Sequence, residues 1–316
     1  MKSLSLRERR GLILLVLFLS GPAAGCAAGK WGFIDKDEKM VIQQRFDDAT
    51  PFGDGLAGVK VANRWGYVDK AGKTVIEPRF DAAGRFHEGM AAVKVGTKWG
   101  FIDRTGNFVI PPRFEDASSF SEGLAPLETG GQYGFIDKTG KYVIPPQFDY
   151  AWLFSEGLAA VKKGGKWGFI DKAGQMAIPP RYDGVLSFSE GLAGFLQGDK
   201  RGFLDKTGKV VIPARYDSVL SFAEGLAPAK MGLQWGYIDK TGNVAIQPQF
   251  DFALPFSEEV APVKAGYKWG YIFKTGQFAI RPKFDGAYPF HEGMAMVKIG
   301  IATGYVDKTG RYIRVL

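Results

Sequence analysis

The sequence predicts an all-β fold built from tandem repeats, and three observations carry that reading. First, Trp-Gly-(Phe/Tyr)-(Ile/Val)-Asp returns every 34 residues from Trp31, through Trp65, Trp99, Tyr133, Trp167, Arg201, Trp235 and Trp269, to Thr303, without a slip. A fixed period of this length marks stacked copies of one small unit. Second, large apolar residues alternate within each motif, the period-2 pattern of a strand. Third, glycine and proline fall several times in every period, so no 10-residue window holds a helical pattern; helical repeats of 34 residues are rejected on that ground. The expected architecture is an open, twisted or superhelical array of three-stranded antiparallel meanders. A closed propeller-like ring is the alternative, disfavoured because blades usually carry four strands in about 40–50 residues.

Repeat three, Trp99 to Gln132, shows how each element arises. Trp99 to Asp103 is a strand. Asp103-Arg104-Thr105-Gly106 reads as a type I turn closed by a left-handed glycine. Glycine takes that backbone at least cost, and it recurs at Gly72, Gly106, Gly140, Gly174, Gly208, Gly242, Gly276 and Gly310. Phe108 to Ile110 is the second strand, which Pro111-Pro112 is expected to end because proline cannot donate to a ladder. A loop carrying Phe114-Glu115 and Phe120-Ser121-Glu122-Gly123 follows. A third strand, from Leu124, leads into the next Trp-Gly. One such unit cannot bury its aromatic face alone, so neighbours must stack.

Residues 1–25 read as a secretory signal. Lys2, Arg7, Arg9 and Arg10 precede an apolar core, Leu12 to Leu19, and small residues follow from Gly21 to Gly25. Eight apolar residues are too few to span a bilayer, which needs about 20. The single cysteine, Cys26, follows Ala23-Ala24-Gly25 and resembles a bacterial lipobox, with Ala23 where such boxes usually carry Leu. A free thiol fits poorly in an oxidising compartment, so a lipidated Cys26 is expected; ordinary cleavage with release is the other reading. Ala27 in place of Asp points to the outer membrane. Residues 26–30 are then a short tether, and 31–316 hold eight full repeats and a partial ninth. With 46% hydrophobic and 23% charged residues the chain is no disordered polymer. The net charge of +8 falls to +5 without the leader and is dispersed, a weak basis for polyanion binding.

These residues resemble the WG (also KWG) repeat family of bacterial tandem repeats. Lys166 to Lys172 (KWGFIDK) and Thr139 to Phe148 (TGKYVIPPQF) carry the likeness, which extends from Trp31 to Leu316. The resemblance implies an all-β repeat and an interaction role, and it transfers no catalytic residue. Departures stand at Tyr133, Arg201 and Thr303 in the Trp column, at Phe273 in the turn Asp column, and at Gln43-Gln44, where other repeats carry proline, as in a terminal cap.

Candidate chemistry is weighed column by column. The turn aspartates (Asp35, Asp69, Asp103, Asp137, Asp171, Asp205, Asp239, Asp307) are explained by the turn itself, and one carboxylate beside a cation makes no calcium loop. Two further acidic columns include Asp183 and Asp217, and Glu122, Glu156 and Glu190. Paired carboxylates could hydrolyse glycosides, but an enzyme needs one asymmetric site and these pairs recur in every repeat. Loop hydrogen bonding is the expected role. His87 and His291 stand six periods apart at the same phase, which argues against a shared site. Basic columns (Lys172, Lys206 and Lys240; Lys60, Lys162 and Lys230) read as solvated positions that guard strand edges, with an anionic polymer face as the other reading. The tryptophans Trp31, Trp65, Trp99, Trp167, Trp235 and Trp269 are expected in the core, or else as a ladder stacking on sugars. Trp152, outside the motif, is the better candidate for a ligand contact.

The expectation for function is a non-enzymatic, envelope-anchored scaffold that binds a protein partner. A carbohydrate- or cell-wall-binding module is the alternative, and an envelope-polymer hydrolase a remote third. Partners are an envelope protein or glycan and, through the lipid, a membrane. Nucleic acid, metal and small-molecule cofactor are not expected.

Overall fold

The computed structural model describes residues 30–35, 40–300 and 302–314, and the backbone alone of Leu15–Phe18. The expected cleavage region, Cys26 and most of the tether lie outside the described residues. The described residues form strands, turns and bends without an α-helix, so no helix is long and apolar enough to cross a membrane. By contacts the chain divides into two units, Met1–Pro112 with Val315–Leu316, and Arg113–Arg314.

The strands group into separate antiparallel sheets, eight of four strands and a first of three among the described residues. In one sheet of the second unit they run Gly184–Val185, Leu192–Gln197, Lys200–Asp205 and Val210–Tyr216, each paired with the next. The expected three-stranded meander is therefore corrected to four strands. The extra one has two residues in most sheets and lies in the segment read as loop. It forms because Asp183 and Leu186 donate their backbone N–H groups to Leu196 and Gly194, which pins the segment to the sheet edge. Each sheet also straddles two repeats: its first two strands close one period and its last two are the Trp-Gly hairpin of the next. In the first sheet the backbone of Leu15–Phe18 lies antiparallel to Trp31–Ile34, where other sheets have their second strand.

Proline does not end the fourth strand. Phe108–Phe114 runs through Pro111 and Pro112, and Met176–Tyr182 through Pro179 and Pro180. This strand is an edge, where a missing N–H loses no ladder bond. The register shows the accommodation: Trp167 faces Tyr182 and Phe169 faces Ile178, so two extra residues bulge out at the prolines.

Both faces of each sheet are buried. Phe203 and Leu204 are adjacent and fully buried because they point to opposite faces. Leu204 joins Phe195 and Phe188 against Phe169, Ile178 and Tyr182 of the preceding sheet. Phe203 joins Ile212 and Tyr216 against Val219, Phe222 and Ile238 of the following one. In the first unit, Tyr67, Ile76 and Phe80 pack likewise on Phe86, Val93 and Ile102. At each such interface the motif's aromatic meets the loop phenylalanine one sheet on, tilted or edge-on, at 4.8 Å for Phe169–Phe188 and 4.7 Å for Phe203–Phe222, the geometry that ring quadrupoles favour.

Candidate functional site: an aromatic recess at Trp152

Most repeated polar columns are consumed in linking one repeat to the next. Glu190 accepts from the Gly225 N–H at 3.0 Å and pairs with Lys240 Nζ at 3.1 Å. Glu156 does the same with Gly191 and Lys206, and Glu122 with Gly157 and Lys172. The loop acids and the turn lysines thus neutralise one another across repeats. Asp217 accepts from Lys200 Nζ at 2.6 Å and from the Gly232 N–H at 2.7 Å. The turn aspartate Asp205 takes the Thr207 N–H, the Thr207 hydroxyl and the Lys209 N–H on one oxygen. Ser189 donates to the Phe222 carbonyl, and Arg215 to that of Gly242. Where Phe273 replaces the turn aspartate, the Thr275 hydroxyl accepts from Gln277 N–H instead.

The turn glycines adopt the expected left-handed backbone, with φ from 80° to 90° at Gly72, Gly106, Gly140, Gly174, Gly208, Gly242 and Gly276. His87 and His291 are exposed on their loops. Among the described residues no three His, Cys, Asp or Glu side chains converge to hold a metal ion.

The tryptophan column differs from the core expectation. Only Trp235 is buried, while Trp31, Trp65, Trp99, Trp167 and Trp269 are half-buried. Trp65, Trp99, Trp167 and Trp269 each stand across the ladder from a lysine at the hydrated end of the second strand, as Trp167 does from Lys162. Trp235 is covered by Phe252, whose ring lies 4.9 Å away.

Trp152 lies where the repeat is most distorted. Its strand, Tyr150–Ser155, is six residues long rather than two, with a register shift between Ala151 and Phe154. The bulge sets Trp152, half-buried, over Trp167 at 5.2 Å. Tyr150 lies 6.0 Å from Trp167 and 4.7 Å from Tyr133 of the preceding sheet. Tyr133, Tyr150 and Trp152 line a recess of about 450 Å³ with Asp116, Pro126 and Ser187. The Tyr133 hydroxyl donates to Asp116 Oδ2 at 3.3 Å. Burial first, and then the Asp116 charge, push the Tyr133 phenol well above its ordinary value, so it stays a neutral donor. Rings at differing tilts beside a carboxylate can bind a ligand with apolar faces and hydroxyl edges.

Sequence reasoning singled out Trp152 but missed Tyr150 and Asp116. The available signal was their column, whose members Asp48, Ala82, Asp116, Tyr150, Gly184, Ser218, Phe252 and Gly286 vary freely beside fixed neighbours.

The model of the WG containing repeat matches eight consecutive segments, residues 31–65, 65–99, 99–133, 133–167, 167–200, 202–232, 235–269 and 269–300. No curated protein matches. Among solved structures the chain is similar to a crystal structure of the eukaryotic initiation factor, at 11% identity and a TM-score of 0.65, covering 90% of this chain and 92% of that one. It also matches Hsv2 of Kluyvelomyces marxianus at 9% identity and a TM-score of 0.46, covering 72% and 93%. At such identities the first likeness shows the fold alone.

Proposed function

This chain belongs to the WG-repeat family, and on that premise we propose that it is a non-enzymatic binding protein of the cell envelope whose ligand is a saccharide held at the Trp152 recess. One observation carries the reading: Tyr133, Tyr150 and Trp152 converge with Asp116 on a single cavity, at the only place in the second unit where the first strand is lengthened and bulged among the described residues. Pyranose rings present C–H faces that stack on aromatics and hydroxyls that donate to carboxylates. At about 450 Å³ the recess lies within the usual range of ligand pockets. The acidic columns support a non-catalytic role, since their oxygens are engaged by backbone N–H groups and lysines in repeat after repeat. The basic leader and Cys26 support an envelope address.

The scaffold reading keeps one observation of its own. Leu233 and Tyr267, at the hairpin tips of neighbouring sheets, are 90% and 93% exposed, as apolar residues awaiting a protein partner would be.

Calorimetric titration of the purified chain with peptidoglycan fragments and envelope polysaccharides tests the proposal. Saturable binding to one of them is expected, weakened on the order of tenfold or more by Trp152→Ala. Binding that survives Trp152→Ala unchanged moves the site elsewhere. No binding to any glycan leaves the exposed hairpin tips and a protein partner as the better account.

A further inference from the structure

The aromatic recess has a counterpart at the same phase two periods on. The residues matching Asp116, Ala117, Ser118, Pro126 and Tyr133 are Gly184, Val185, Leu186, Gly194 and Arg201. With Val219 of the following sheet they line a smaller recess, of about 120 Å³.

Its chemistry is inverted. Arg201 stands in the tryptophan column, and Leu196 faces it across the ladder where Lys162 faces Trp167. The guanidinium donates to the Asp217 carbonyl at 2.8 Å. No carboxylate among the described residues pairs with it; the Asp217 carboxylate is turned to Lys200 Nζ and the Gly232 N–H instead. An arginine has five N–H groups and always carries its charge, so one wall of the recess is an uncompensated cation with donors to spare. The opposite walls, Leu186 and Val219, are apolar. Gly194 stands where neighbouring repeats have Ala160 and Pro228, and a Cβ there would meet Leu186 Cδ1 at 2.9 Å. The space suits a small group rather than a ring.

We infer that this recess binds the carboxylate of an acidic sugar, so that the ligand is a glycan carrying carboxylates. The inference rests on the saccharide reading and deepens it. A planar guanidinium matches a carboxylate in bidentate fashion, and the apolar walls strengthen the pairing by excluding water.

The test compares an oligosaccharide of alternating N-acetylglucosamine and glucuronate with its carboxyl-reduced form, by calorimetry on the full chain. The wild type is expected to bind the acidic form about tenfold or more tightly, as a charge-assisted hydrogen bond implies. Arg201→Gln should abolish that preference and leave the affinity for the reduced form unchanged. Arg201→Trp, which restores the residue of six other repeats and so keeps the fold, should do the same. Trp152→Ala should weaken both forms alike. Equal wild-type affinities for the two forms, or a preference that survives in both Arg201 variants, overturn the inference while the saccharide reading stands. If neither oligosaccharide binds, that glycan is not the ligand, and the saccharide reading stands or falls with the peptidoglycan and envelope-polysaccharide titration. Free glucuronate then decides the recess: a saturable shift of the Arg201 side-chain N–H resonance, absent in Arg201→Gln, upholds it, and no shift overturns it.

Discussion

Two kinds of glycine serve each repeat for different physical reasons. Gly164, at a hairpin tip, has φ 59° and open space around it, so its role is conformational freedom. Gly168, in the Trp-Gly pair, needs no unusual dihedral; a Cβ there would lie 2.4 Å from the Ile178 carbonyl and 2.7 Å from the Pro180 nitrogen. The bulge at the prolines closes over it. Gly164→Ala should therefore lower stability by about 1 kcal/mol, the cost of a left-handed L-residue. Gly168→Ala should lower it by roughly 2–3 kcal/mol, since backbone has to move. Thermal unfolding of the two variants checks the order, and the reverse order rejects this account. The need for a small residue beside Trp was legible in the sequence. Its partner was not, because Pro179-Pro180 reads locally as a strand end and only the ladder shows it to be a bulged edge. Trp152 was legible as off-motif, whereas the Asp116–Tyr133–Tyr150 grouping joins residues from two sheets.

At the scale of the element, the Ser-Glu-Gly turn is the joint between repeats. Its glutamate sits in the left-handed region, at φ 54° for Glu156, Glu190 and Glu224, a conformation that charged residues rarely adopt. Burial opposes the ionised form of Glu190, but the Lys240 ammonium and the Gly225 N–H outweigh it, and the carboxyl lies below the ordinary range. Glu156 and Glu224 behave alike through Lys206 and Lys274. The sign follows: a carboxyl depressed in the folded state stabilises at neutral pH, and that contribution is lost as pH falls from the unfolded value of 4.5 through the folded one. Thermal midpoints should therefore drop in that window. Lys240→Met should lower the midpoint at pH 7 by a modest amount, because the pair is partly exposed, and the gap from wild type should close once Glu190 is protonated. A gap that stays constant with pH rules out the pairing as its source. The acidic and basic columns were visible in the sequence, but their match was not, since each pair is 50 residues apart and skips the adjacent repeat's turn.

For the whole molecule, the repeat count was readable from the period, and the all-β class from the period-2 alternation and the glycines and prolines within it, because each unit's interface is defined by the same few residues. The fourth strand escaped notice because two residues carry no periodicity. Membrane attachment belongs to this scale too. If Cys26 carries lipid, the chain partitions into a detergent-rich phase, and Cys26→Ser moves it to the aqueous phase with its β content intact. An unmodified wild type in the aqueous phase would favour simple release after cleavage.

The links between repeats recur at fixed counts: 27 residues from Arg215 to Gly242, 33 from Ser189 to Phe222, 35 from Glu190 to Gly225 and 50 from Glu190 to Lys240. Each survives the gain or loss of a whole 34-residue period and none survives a fraction of one. In genetic terms, unequal recombination between copies can lengthen or shorten such a gene by whole units without breaking a joint. The off-pattern residues at Trp152 and Arg201 would then be carried, duplicated or deleted as intact cassettes.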